Sequence, residues 1–236
     1  MAKMFIGGES VDSVTKNTTE VRNPATGATV DTVPQGNDKD VQQAVQAAED
    51  AFKVWSDVTP EDRGNALLNA CELIKKNSGE IAQLLTQEQG KTLFEAGLEI
   101  HHLVHGLEFY AGLSSKVRGS HVPLPQKGAY GMVVRQPIGV CGGIVPWNFP
   151  LTLMGTKLGP ALAAGNTIII KPASTTPLAT IKVIELIAQA TFGEGKAQKT
   201  VPKGAVNVVT GPGGPTREPD PARIPEMLIA SLAEWK

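Results

Sequence analysis

From Gly139 onward the sequence repeats one unit: a short apolar run, a longer stretch with helical spacing, then another short run. VCGGIV, TIII and VNVV are continuous apolar segments of the kind that form strands buried on both faces. Between the first two lies LTLMGTKLGPALAAG, a helix ending at Gly165, with a kink expected at Pro160. Between the last two lies TPLATIKVIELIAQA, a helix with Thr176 as cap and Pro177 at its start. Two successive strand–helix–strand crossovers leave little choice of architecture. The strands run parallel, helices cover them, and the fold class is α/β with a doubly wound parallel sheet. Such sheets bind ligands at the carboxyl ends of their strands.

The first third of the chain reads as helices. In NDKDVQQAVQAAEDAFKVW, the residues Val41, Ala44, Val45, Ala48, Phe52 and Trp55 recur at helical spacing behind an Asn37 cap. TPED follows, with Thr59 as N-cap, Pro60 at the first helical position and Asp62 in the reciprocal capping position. That helix is expected to stop near Asn77, although Gly64 inside it costs about 1 kcal/mol relative to alanine. Helical pattern continues over 80–89 and 93–111. The segment 115–136 changes character, with Gly119, Pro123, Pro125 and Gly128 among alternating stretches such as AYGMVVRQ. It reads as two antiparallel strands projecting from the body. The expected division is a helical part over 1–114, an arm over 115–137, the parallel-sheet core over 138–214 and a separate tail over 215–236.

Composition narrows the function. A chain of 236 residues with 41% hydrophobic and 19% charged residues suits an ordinary globular protein with a sizeable core. A formal net charge of −1 argues against nucleic acid or an anionic membrane surface as partner. No apolar run approaches the roughly 18–20 residues that span a bilayer. The N-terminal MAKMFIGGESV does not read as a signal peptide, and Cys71 and Cys141 form no disulfide framework. The expected compartment is the cytoplasm.

Chemistry concentrates just beyond the strands. Pro146-Trp147-Asn148-Phe149-Pro150 follows VCGGIV, and two prolines restrict the backbone around a single amide side chain. On this segment alone, a preorganised hydrogen-bond donor and a proline-bracketed turn with a packed Trp both fit. Lys171 follows TIII, where it either reaches ribose or phosphate oxygens or is a solvated strand end. Gly211-Pro212-Gly213-Gly214 follows VNVV and permits close backbone approach to a ligand, or is a plain turn. GKT at 90–92 lacks the upstream glycine of a phosphate loop and follows a helix, so it is rejected. His101 and His105 share one helix face without further metal-ligand spacing, and neither cysteine sits where a nucleophile is expected.

Taken together, GVCGGIVPWNFPLTLMGTKLGPALAAGNTIIIKPASTTPL strongly resembles the aldehyde dehydrogenase superfamily. The match extends upstream to NPATG at 23–27 and QGK at 89–91, and downstream to VNVVTGPG. The resemblance implies a Rossmann-like domain binding NAD or NADP, here incomplete, with the 115–136 segment as an oligomerisation arm. It implies that Asn148 is the oxyanion-hole amide and that Ile144, Val145, Pro146 and Trp147 lie along the nicotinamide cofactor. It also implies that Lys171 and Ser174 contact the adenosine ribose and that Gly211 lies near the adenine. Many NAD-preferring relatives carry Glu where this chain has Ser174, so NADP is expected to be tolerated. The family's catalytic Cys and Glu motifs are not found, and after Gly214 the resemblance is expected to give way to an unrelated tail. The chain is therefore expected to be the first half of an enzyme acting on a small-molecule aldehyde, inactive in isolation. Two alternatives remain open at this point: a non-catalytic nucleotide-binding or interaction protein pairing through 115–136 with itself or a full-length relative, or half of a split enzyme.

Overall fold

The computed structural model describes residues 1–193 and 195–212. Gly213, Gly214 and the separate tail expected over 215–236 lie outside the described residues. The chain opens with four short strands: β1 (Met4–Ile6), β2 (Glu9–Val11), β3 (Thr18–Arg22) and β4 (Thr29–Pro34). Four helices follow: α1 (Asp38–Trp55), α2 (Pro60–Lys76), α3 (Ser78–Gln89) and α4 (Leu93–Leu113). An exposed antiparallel pair, β5 (Ser120–Pro123) and β6 (Tyr130–Val133), leads into β7 (Val140–Ile144), α5 (Pro150–Ala163), β8 (Thr167–Lys171) and α6 (Leu178–Ala188). A small hairpin of β9 (Thr191–Phe192) and β10 (Lys199–Thr200) precedes β11 (Val206–Val208).

The opening strands correct the reading of 1–114 as helical. Their signals are turn chemistry rather than periodicity. Gly7 and Gly8, both at positive φ, form the two-residue connection between β1 and β2, as a Gly-Gly pair does in tight hairpins. In NPATG, the Asn23 side chain accepts from the N–H groups of Ala25 at 2.9 Å and Thr26 at 3.3 Å, closing the β3–β4 turn.

The main sheet has the order β2-β1-β11-β8-β7, with β11, β8 and β7 parallel and β1 antiparallel to β11. The third parallel strand, β11, is not an open edge, because Phe5 of β1 pairs with Val208. Among the described residues β7 has one strand neighbour, β8, and the order β11-β8-β7 reproduces half of a doubly wound sheet. Side-chain alternation builds two cores. Ile168 and Ile170 join the larger core with residues of α5 and α6, while Ile169 joins Val41, Ala44 and Ala48 of α1 in the smaller one.

Helix ends are satisfied in part locally and in part from a distance. α1 begins with the Asn37 and Asp40 capping box, and Thr59 caps α2 through the Asp62 N–H. The expected reciprocal bond differs there, because the Asp62 carboxylate accepts from the Thr59 hydroxyl. Gly64 is explained by packing: an added Cβ would lie 2.8 Å from the Ala111 carbonyl oxygen and 2.7 Å from Ser114 Oγ. At the C-terminus of α5, which carries Pro160 within it, Trp55 Nε1 donates to the Leu162 carbonyl at 3.1 Å and Arg63 Nε to that of Ala163 at 3.0 Å. Thr176 does not cap α6; its buried hydroxyl has no hydrogen-bond partner among the described residues. Glu88 of α3 does so instead, accepting from the N–H of Leu178 at 2.6 Å and Ala179 at 3.0 Å. No helix among the described residues is long and apolar enough to cross a membrane.

Burial pushes the Glu88 carboxyl from an ordinary 4.5 up to about 8; the two N–H bonds oppose the rise and the charge of Glu99 adds to it. The folded chain then retains a proton that the unfolded chain releases, so this group's contribution to stability is full below the unfolded value and is lost as pH climbs toward 8. Glu88→Gln keeps an acceptor oxygen and removes the titration. The thermal midpoint of the parent, relative to this variant, is expected to fall from about pH 5 to about pH 8. A parent-to-variant difference that stays constant across that range would contradict the protonated assignment.

Candidate functional site

The carboxyl ends of β7, β8 and β11 form one edge. Ile144 pairs with Lys171 across the last rung of β7 and β8, and the ladder continues through Val145 N–H to the Lys171 carbonyl at 3.0 Å. On the other side, Val209 N–H donates to the Ile170 carbonyl at 3.0 Å. Beyond β11 the chain turns through Thr210 to Gly211, whose φ of 143° favours glycine. The Ser174 hydroxyl donates to the Gly211 carbonyl at 2.9 Å. Ser174 and Gly211 are thus bonded to each other, with Lys171 on the same edge.

Along this edge the side chains differ in exposure. Val145 is buried in the larger core, which leaves its backbone to face the edge. Ile144 and Trp147 are 47% and 59% exposed, and Pro146 and Asn148 are also exposed. Exposed apolar side chains at strand ends, beside a lysine and a glycine-bearing turn, are suited to covering a flat heterocycle while polar groups meet its ribose and phosphates. The Lys171 ammonium donates to the Pro172 carbonyl at 3.1 Å, which holds it at the strand end.

The Asn148 turn is fixed by more than its prolines. Pro150 occupies the first position of α5, while Phe149 at the N-cap supplies no side-chain acceptor. The acceptor is Glu99 of α4, whose Oε1 takes the N–H groups of Leu151 at 2.8 Å and Thr152 at 3.2 Å. Its other oxygen pairs with Lys91, a contact with side chains 1% and 8% exposed. Lys91 also donates to the Asn148 carbonyl at 3.2 Å and lies 4.5 Å from the centre of the Phe149 ring. Gln89 Nε2 reaches the same carbonyl at 3.4 Å. Among the described residues no hydrogen bond occupies the Asn148 side-chain amide, which leaves it available to a ligand oxygen.

Sequence reading missed Glu99, Lys91 and Gln89 as parts of this arrangement, because their partners lie more than fifty residues away. A signal was present for Glu99. It falls on the stripe Ala96, Ile100, Leu103, Val104 and Leu107, where a carboxylate is out of place unless it is paired. The remaining candidates stay outside the edge. Burial lifts the Cys71 thiol to about 12, with the charge of Glu108 adding to the rise, and lifts Cys141 to about 11, so neither offers a thiolate near neutral pH. His101 and His105 stack with centroids 6.3 Å apart on α4.

Comparison with known proteins gives a consistent result. The aldehyde dehydrogenase family model matches residues 11–219, five residues past the point where the sequence reading ended the resemblance. The betaine aldehyde dehydrogenase of Bacillus subtilis is 38% identical over 212 residues, covering 89% of this chain and 41% of that protein. Among solved structures, PnpE in complex with nicotinamide adenine dinucleotide aligns with a TM-score of 0.83 at 38% identity, covering 90% of this chain and 42% of that one. An NADP-dependent enzyme from E. coli aligns with a TM-score of 0.84 at 36% identity, covering 91% and 43%. The chain spans about two-fifths of the length of these relatives. A family match across most of its residues, on a parallel sheet with these side chains at its carboxyl edge, establishes that the chain belongs to the aldehyde dehydrogenase family.

Proposed function

We propose that these 236 residues carry the dinucleotide-binding edge and the oxyanion donor of an NAD(P)-dependent aldehyde dehydrogenase, which oxidises an aldehyde to a carboxylic acid. The observation that carries this reading is convergence: Ile144, Lys171, Ser174 and Gly211 meet at one sheet edge, with Asn148 on the turn that leaves β7. The residues present fit a nicotinamide dinucleotide, with Ile144, the Val145 backbone, Pro146 and Trp147 toward the nicotinamide. Lys171 and Ser174 are toward the adenosine ribose, and Gly211 toward the adenine. When bound, that cofactor supplies the hydride acceptor. The part played by this chain is electrostatic. The Asn148 Nδ2 donates to the aldehyde oxygen as it gains negative charge, a contribution of about 2.7–4 kcal/mol for one preorganised donor. Neither the attacking nucleophile nor the group that activates water is assigned to a residue of these 236. The proposed setting is the cytoplasm, with no metal required by any residue assigned here.

A second reading rests on the arm. Val122, Leu124, Tyr130, Met132 and Val133 are all exposed on β5, β6 and their connection. Such a ribbon suits pairing with a second copy or a full-length relative, whether the chain then acts as a non-catalytic nucleotide-binding partner or as half of a split enzyme.

Two outcomes test these assignments. The purified chain is expected to form no NADH or NADPH from aldehydes, because a single oxyanion donor does not replace covalent capture. Reduced cofactor that still forms in Cys71→Ala and Cys141→Ala but disappears in Asn148→Ala would show that another residue captures the aldehyde. For the cofactor, the chain is expected to bind NADP⁺ at least as tightly as NAD⁺. Ser174→Glu, which puts a carboxylate beside the 2′-phosphate, is expected to weaken NADP⁺ relative to NAD⁺ by roughly tenfold, about 1.4 kcal/mol. Ser174→Ala, which loses only the bond to the Gly211 carbonyl, is the control. A ratio unchanged in Ser174→Glu would remove this residue from cofactor choice.

A further inference from the structure

We infer that Lys91 and Glu99 are positioning residues for Asn148, one buried ion pair holding the peptide that leaves it and the helix start that follows, and so fixing the direction of the amide. The inference rests on the reading of Asn148 as oxyanion donor and adds what aims it.

A donor aimed at a developing charge acts only if it is held before the charge appears. Asn148 lies on a turn whose side chains are exposed, so packing of neighbours does not hold it. Pro146 and Pro150 narrow the backbone on either side but do not fix the orientation of the peptide between Asn148 and Phe149. That peptide is held through its carbonyl, which accepts from Lys91 Nζ at 3.2 Å and Gln89 Nε2 at 3.4 Å. The Lys91 ammonium is held in turn by Glu99, on the buried face of α4. The same carboxylate grips the start of α5 through the Leu151 and Thr152 N–H groups. The segment from the Asn148 carbonyl to Thr152 is therefore tied at both ends through one carboxylate. Lys91 also lies against the Phe149 ring, which places its charge beside the peptide it holds.

The two attachments separate experimentally. Glu99→Gln retains an amide oxygen that accepts from Leu151 and Thr152, but it presents no charge to Lys91. If Glu99 served only as a helix cap, this variant would leave the turn as ordered as in the parent. As a positioning residue it loosens residues 147–149, as Lys91→Met does, while Lys91→Arg, which keeps a charged donor, retains their order. The measurement is backbone ¹⁵N relaxation on the 236-residue chain, with amide exchange at Leu151 and Thr152.

In Lys91→Met and Glu99→Gln, order parameters at Trp147, Asn148 and Phe149 are expected to fall from the rigid range near 0.85 to below about 0.6. Those at Ile168–Ile170 are expected to stay unchanged, and exchange at Leu151 and Thr152 in Glu99→Gln to remain within about threefold of the parent. Unchanged order at 147–149 in Glu99→Gln, or loosening that extends equally to Ile168–Ile170, overturns the inference. Should Lys91→Met fail to fold, the isosteric Glu99→Gln carries the test. Because the readout needs no substrate, loss of the oxyanion reading would leave the ordering result standing, and loss of ordering would leave that reading to be judged on Asn148→Ala.

Discussion

The amide groups at the starts of α5 and α6 set the strongest constraint on this structure. Both crossover helices begin at the carboxyl edge of the sheet, and neither Phe149 nor Pro177 at their N-caps provides a side-chain acceptor. A buried N–H left without a partner costs about 1–3 kcal/mol, and each helix start has two that face inward. Glu99 and Glu88 resolve this from outside the sheet, one carboxyl group per helix. The consequence reaches past stability. Because these side chains belong to α3 and α4, the end of α3 at Gln89 and the connection that follows it through Lys91 are drawn against the Asn148 turn.

Architecture and chemistry meet at the same place for a topological reason. Successive crossovers move the chain in one direction, from β7 through β8 to β11, so that among the described residues β7 ends the sheet, the position from which a complete doubly wound sheet would extend the other way. Its carboxyl end opens toward the crevice in which such sheets take ligands. The residue pairs observed there, Ile144 with Lys171 and Ser174 with Gly211, are fixed by parallel register and by one turn-to-turn hydrogen bond. The exposed apolar groups and the lysine are thereby set on a rigid rim rather than on a free loop.

Much of this was legible in the sequence where interactions are local or periodic. The continuous apolar runs of β7, β8 and β11 announced a parallel sheet, and Asn37, Thr59 and Pro60 marked helix starts that the structure contains. Of the opening strands, β1 and β2 were missed because they hold three residues each, too few for a period to register. Evidence for the opening strands lay in Gly7-Gly8 and in the Asn23 turn. The pairing of β1 with β11 has no local signal, because the two strands lie some two hundred residues apart. In the candidate site, the placement of Lys171 and Gly211 at or just beyond strand ends was readable by position. Lys91, Glu88 and Glu99 were not, since a carboxylate that caps a helix from another element leaves no local pattern except its presence on an apolar stripe.

The central claim, that the carboxyl edge of β7, β8 and β11 receives a nicotinamide dinucleotide, is tested most directly by mapping amide resonances of the chain during titration with NAD⁺ and NADP⁺. The account predicts shifts concentrated at residues 144–148, 171–174 and 209–212, with the α1 face of the sheet and the β5–β6 arm unmoved. Saturating cofactor that shifts none of these edge resonances, or that shifts the arm instead, would contradict it.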